Sequence, residues 1–262
     1  MKINKNAIMG FGCVLLLTSG CLTERVPEHL IYYSKLDSEA DITNPTVGPT
    51  GSVDGAQFVE GVKGNALFAP GGVENTVTIP FVNGLPEKGC IEFDAKLETT
   101  TDFCGQRADP YLFVFSRKPG KKHDLVPVMN MSFSANNWWG GSGLSFLGEF
   151  NYVVSSHKPE WAARKYSDVL GKDGVNKWHH YKLVWNVDGL ANLNGDIVAV
   201  YIDGKLFKSG TLRKDRIESY RNFYFKEPVL LHFTADDDNH GQSKTPHLID
   251  EFKVWDTDTP EE

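Results

Sequence analysis

The sequence predicts an all-β protein, a sandwich or a barrel, on three observations. It holds 25 Gly and 13 Pro and is 12 % aromatic, so turn-formers and sheet-formers are plentiful while long Ala/Leu/Glu/Lys runs are missing. Short apolar stretches recur between Gly, Pro, Asn and Asp turn signals. Period-two alternation is plain in Ile91-Glu92-Phe93-Asp94-Ala95-Lys96-Leu97-Glu98, whose apolar residues fall on one face and whose charges fall on the other.

The chain opens on an address. Lys2 and Lys5 precede an apolar run from Ala7 to Leu17, too short for a bilayer that needs about 20 apolar residues, and small residues follow it. Residues 1–20 are therefore expected to be an export signal. Leu17-Thr18-Ser19-Gly20-Cys21 resembles a bacterial lipobox, which makes Cys21 the lipidated first residue of the mature chain. Ordinary cleavage near Gly20 is the alternative. By the same resemblance, Leu22 favours the outer membrane of a bacterial envelope, and residues 21–29 form a tether. Removing residues 1–20 takes two lysines, leaving 25 basic against 34 acidic residues and a net charge of −9 in place of −7. Cys13 leaves with the signal and Cys21 takes lipid, so Cys90 and Cys104 are expected to form a disulfide in an oxidising compartment, worth about 3 kcal/mol.

Residues 30–262 read as one domain of short strands. They are expected at Leu30–Ser34, Ala66–Ala69, Thr76–Ile79, Ile91–Leu97, Tyr111–Ser116, Val126–Phe133 and Gly143–Gly148 in the first part. Trp178–Asn186, Ile197–Ile202, Lys205–Ser209, Val229–Thr234 and Leu248–Trp255 follow. In His179-His180-Tyr181-Lys182-Leu183-Val184-Trp185, Tyr181, Leu183 and Trp185 share a side. Asp203-Gly204 is the strongest hairpin signal, because both residues accept positive φ. One segment reads as helix: Pro159-Glu160 before Trp161–Leu170, closed by Gly171. No repeat appears at solenoid or propeller periods. A pI near 5.6 and the lack of a Lys/Arg cluster speak against a nucleic-acid partner.

Trp178-His179-His180-Tyr181-Lys182-Leu183-Val184-Trp185, Val200-Tyr201-Ile202-Asp203-Gly204-Lys205 and Leu248-Ile249-Asp250-Glu251-Phe252-Lys253-Val254-Trp255 carry a resemblance. They resemble the second half of a laminin-G-like domain of the concanavalin A-like lectin/glucanase superfamily. Tyr32-Tyr33-Ser34-Lys35-Leu36-Asp37 and Phe58 to Leu67 are similar to its opening strand and G-x-A-L step. The resemblance spans Leu30 to Trp255. It implies a jelly-roll β-sandwich of two antiparallel sheets with the first and last strands adjacent, and a ligand on the concave sheet or a rim loop.

Candidate sites follow, each beside a structural account. Asn137, Trp138 and Trp139 lie in a Gly-rich loop, where indole faces stack on sugar C–H surfaces and amides read hydroxyls; edge packing is the alternative. Trp161 is a second aromatic candidate. Asp236, Asp237, Asp238 and Asn239 form the densest acidic spot and suit calcium, which takes six to eight oxygens; a solvated turn competes.

Glu92 and Asp94 match the first step of the catalytic strand of family 16 glycoside hydrolases, but Glu98 lies about 20 Å from Glu92 along a strand. Retaining chemistry needs carboxyls about 5 to 5.5 Å apart. A polar strand face is the simpler account. Tyr224-Phe225-Lys226 echoes the start of an alginate-lyase motif whose continuation is missing. His179 is expected to be a bonded core histidine and Asp250 a loop anchor.

The reading that results is a lipid-anchored envelope protein that binds polysaccharide or another glycan, with calcium as its expected cofactor and no catalytic residue assigned. A glycoside hydrolase or polysaccharide lyase, and a protein-adhesion module, are the alternatives.

Overall fold

The computed structural model describes residues 26–70, 76–99, 111–116, 127–134, 143–146, 167–211, 227–233 and 246–260. The elements in chain order are β1 (Leu30–Ser34), α1 (Glu39–Thr43), β2 (Ser52–Asp54), β3 (Gln57–Glu60), β4 (Asn65–Ala69), β5 (Thr76–Phe81) and β6 (Lys88–Leu97). Next come β7 (Tyr111–Ser116), β8 (Pro127–Ser134), β9 (Gly143–Phe146) and α2 (Ser167–Leu170). The last are β10 (Trp178–Asn186), β11 (Val198–Ile202), β12 (Lys205–Gly210), β13 (Val229–Phe233) and β14 (His247–Trp255).

These strands form an all-β sandwich of two antiparallel sheets. The larger has eight strands in the order β12-β11-β10-β6-β14-β4-β3, with β1 also paired to β14. The smaller has six, β2-β5-β13-β7-β8-β9. The first and last strands are adjacent, as the resemblance implies. Alternation decides which face is inward. On β6, Ile91, Phe93, Ala95 and Leu97 enter the core, while Glu92, Asp94 and Lys96 face out. Phe93 stacks on Tyr181 at 5.2 Å and meets Phe113 edge-on at 5.7 Å, and Phe252 meets Phe233 edge-on at 4.8 Å. This aromatic web joins the sheets, and each such pair adds about 0.5–1.5 kcal/mol beyond area burial.

The hairpin at Asp203-Gly204 takes φ of 51° and 73°, the two positive values that a type I′ turn demands. The expected helix ending at Leu170 is present as α2 with Gly171 at φ 79° after it, and residues 161–166 lie outside the described residues. A second short helix, α1, joins it. Ser38 stands at its N-cap position with its hydroxyl on the Asp41 carboxylate, and Glu39 and Asp41 occupy its first turn, but five residues are too few for an apolar period to show in the sequence.

The expected Cys90–Cys104 disulfide is not formed: Cys90 is a free, buried thiol. It sits on the outer face of β6, sealed among Val184, Leu190, Ala199 and Trp255, and burial raises the pKa of its thiol. Cys104, like Cys21, lies outside the described residues.

Candidate functional site

The outer face of the larger sheet is organised by register into rows running across the strands. One row is apolar: Leu30 pairs with Trp255, Trp255 with Cys90, Cys90 with Val184 and Val184 with Ala199. The next alternates aromatic and charged groups: Tyr33 opposite Lys253, Lys253 opposite Glu92, Glu92 opposite Lys182, Lys182 opposite Tyr201. A third places Asp94 between Asp250 and His180. Neighbouring strands lie about 4.8 Å apart, so each row is a ladder of side chains in mutual reach.

The ladders are held by ion pairs. Lys182 Nζ lies 2.6 Å from Glu92 Oε1, and His180 Nδ1 lies 3.0 Å from Asp94 Oδ1. The hydrogen bond to Asp94 raises the pKa of His180 against the opposing effect of its partial burial. Lys96 meets Glu98 at 3.2 Å. Glu92, Asp94 and Glu98 are thus each matched to a basic neighbour.

At the β1/β14 edge this face hollows into a groove of about 940 Å³. Tyr33, Trp255, Lys253, Glu92 and His180 supply its sheet side. Val26, Pro27 and Leu30 bound it where the chain enters the domain, and Lys35, Asp37 and Lys63 line its loop side. Tyr33 Oη donates to Glu251 Oε2 at 2.9 Å, and burial followed by Glu251 pushes its phenol well above the ordinary range. Lys253 Nζ sits 5.5 Å from the centre of the Tyr33 ring, a cation–π distance.

A bulge shapes this edge. Register slips between Asp250 and Lys253, and Glu251 takes φ 53°. Asp250 turns to the preceding loop, where its Oδ2 accepts from Val62 N at 2.8 Å and Lys63 N at 3.1 Å. Its side chain is fully buried, and burial raises its pKa to about 6 despite those bonds. Gly61 permits the approach, since a Cβ there would lie 2.7 Å from Asp250 Oδ2. Asp250 is therefore the loop anchor expected of it, and the loop it anchors carries Lys63 into the groove. His179 is likewise bonded, through Nδ1 to Asp203 Oδ2 at 2.7 Å and Nε2 to Gly174 O at 2.9 Å.

The other sequence candidates, Asn137, Trp138, Trp139, Trp161, Tyr224–Lys226 and the calcium candidates Asp236, Asp237, Asp238 and Asn239, lie outside the described residues. Among the described residues, no group of three or more His, Cys, Asp or Glu is placed to hold a metal ion. Sequence reasoning did not single out Tyr33, Lys35, Lys253 or Trp255 as site residues. The available signal was polar residues at period two on both terminal strands, combined with the adjacency of those strands.

Fold and groove together define an all-β sandwich with a ligand-sized cleft on one sheet. No protein-family profile matches the chain, and no curated protein matches it. Solved structures do. The binding domain of Paraclostridial Mosquitocidal Protein 1 superposes with a TM-score of 0.59 at 13 % identity over 88 % of this chain and 49 % of its own. The botulinum neurotoxin serotype D ligand-binding domain, solved in complex with N-acetylneuraminic acid, gives 0.54 at 14 % over 88 % and 48 %. The binding domain of botulinum neurotoxin DC, solved with SialylT, gives 0.53 at 12 % over 88 % and 49 %. This chain spans about half the length of each, and the likeness is one of fold.

Proposed function

We propose that this protein is an exported, lipid-tethered envelope protein whose laminin-G-like sandwich binds carbohydrate. The observation that carries the binding reading is the groove, in which the Tyr33 ring stands beside charged groups on a rigid sheet. Saccharides need that mixture, a flat apolar surface for C–H faces and fixed polar groups for hydroxyls. Structures of like fold solved with sialylated ligands add support at the level of fold. Cys21 is the proposed lipidation site and the bacterial outer membrane the proposed location. The loop with Asn137, Trp138 and Trp139, and Trp161, are proposed auxiliary contacts. Calcium held by Asp236, Asp237, Asp238 and Asn239 is the proposed cofactor.

A glycan array followed by calorimetry, with and without calcium, tests the reading. Binding in the micromolar to millimolar range that weakens at least tenfold in Tyr33→Ala supports it. No binding to any glycan on the array overturns it, and shortening of a polysaccharide by the pure protein would establish an enzyme instead.

A further inference from the structure

The groove's charged groups are unequally committed. Each of its carboxylates has an internal partner: Glu92 the ammonium of Lys182 at 2.6 Å, Glu251 the Tyr33 hydroxyl at 2.9 Å, and Asp37 the backbone N–H of Asn65 at 2.6 Å. Lys63 has a loose contact with Glu251 at 3.6 Å. Among the described residues, Lys35 and Lys253 lie within 4.0 Å of no carboxylate. Lys253 rests over the Tyr33 ring instead.

Both ammonium groups belong to one surface, because Tyr33 and Lys35 alternate onto the same face of the chain and Lys253 is directly opposite Tyr33. A neutral polymer laid in this groove would strip water from two cations and return no charge, which is costly. A ligand bearing anionic oxygens satisfies both.

We infer that the groove takes an acidic saccharide, whose carboxylate or sulfate oxygens meet Lys35 and Lys253 while its ring lies against Tyr33. This rests on the carbohydrate-binding reading and names its ligand class. The chain as a whole carries −7, so long-range forces oppose such a ligand and the attraction is local to the groove.

The test is calorimetry of the full chain with three matched probes: oligogalacturonate, its carboxyl-reduced neutral counterpart, and a sulfated galactan oligosaccharide. At low salt, at least one acidic probe should bind tenfold or more tighter than the neutral one, and the advantage should shrink as salt rises. Lys35→Ala/Lys253→Ala should erase the advantage. Lys35→Glu alone should reverse it, a variant at an exposed position that leaves folding intact. Lys172→Ala and Lys205→Ala, at exposed lysines outside the groove, should leave it unchanged. A preference for the carboxylated or for the sulfated probe supports the inference and identifies the anion. Equal binding of all three, insensitive to Lys35 and Lys253, overturns the inference while carbohydrate binding stands. Silence on all three probes with binding elsewhere on the array overturns the acidic class alone, and silence on both overturns both readings.

Discussion

Asp250 shows how one residue sets local geometry and a pH dependence together. Its carboxylate is buried with one oxygen bonded to two backbone N–H groups and the other, Oδ1, unbonded. The folded state therefore holds a proton that the unfolded chain releases, between the ordinary value of 3.8 and about 6. Stability is full below that window and falls as pH rises through it, since there the folded state binds more protons than the unfolded. His180 acts in the same direction at higher pH: its pKa is raised from 6.5, so its contribution is present below that value and is lost as pH rises through the folded one. Asp250→Asn keeps an acceptor for both N–H groups and removes the titration. Its stability should stay within about 1 kcal/mol of the parent at pH 7 and should flatten across the acid window, whereas Asp250→Ala should cost about 2 kcal/mol through two orphaned donors. Urea unfolding at stepped pH reads all three proteins. Cys90 gives a second check at this scale. As a sealed thiol it should resist alkylation in the folded protein and react fully in denaturant without reductant, and failure to react there would reveal a bridge.

The elements differ in how far they can be read from residues alone. β6 and β10 each alternate over a long run, so their existence and inward faces were plain, β14 was visible as a strand whose bulge breaks the alternation, and the Asp203-Gly204 turn fixed one hairpin. β2 and β3 were not visible. They are three and four residues long with mostly exposed side chains, and their order comes from pairing with β5 and β4 rather than from their own pattern. The groove was hidden for a related reason. Tyr33 and Glu251 are 218 residues apart and meet only because β1 closes on β14, and the bulge that sets Lys253 is tertiary in origin. Two glycines test the sheet separately. At Gly204 a Cβ meets nothing within 4 Å, so Gly204→Ala should cost only the positive φ, about 1 kcal/mol. At Gly89 a Cβ would enter the Trp185 ring and approach Trp255 O at 2.6 Å, so Gly89→Ala should cost about 2–3 kcal/mol through displaced core aromatics. Thermal melts of the two variants should rank in that order.

On the scale of the whole molecule, the groove and the chain's entry point share one edge. Val26, Pro27 and Leu30 line the groove, and Val26 is five residues after Cys21. Five extended residues span at most about 18 Å. A lipid on Cys21 would therefore hold the groove within about 20 Å of the bilayer surface, where a short sugar enters freely and a long polysaccharide must thread between protein and membrane. Such a tether would impose a size dependence that the isolated sandwich lacks. With the chain displayed on membranes, oligosaccharides should bind as they do to a Cys21→Ser form released into solution, while high-mass polymer should bind several-fold more weakly to the membrane form. Inserting 20 Gly/Ser residues after Thr23 lengthens the root-mean-square reach to about 25 Å and should restore polymer binding without changing oligosaccharide affinity. If Cys21→Ser does not leave the membrane fraction, the tether itself is wrong. If it does, and polymer binding is the same for the short and long tethers, the groove opens away from the membrane and its occupant is free in solution.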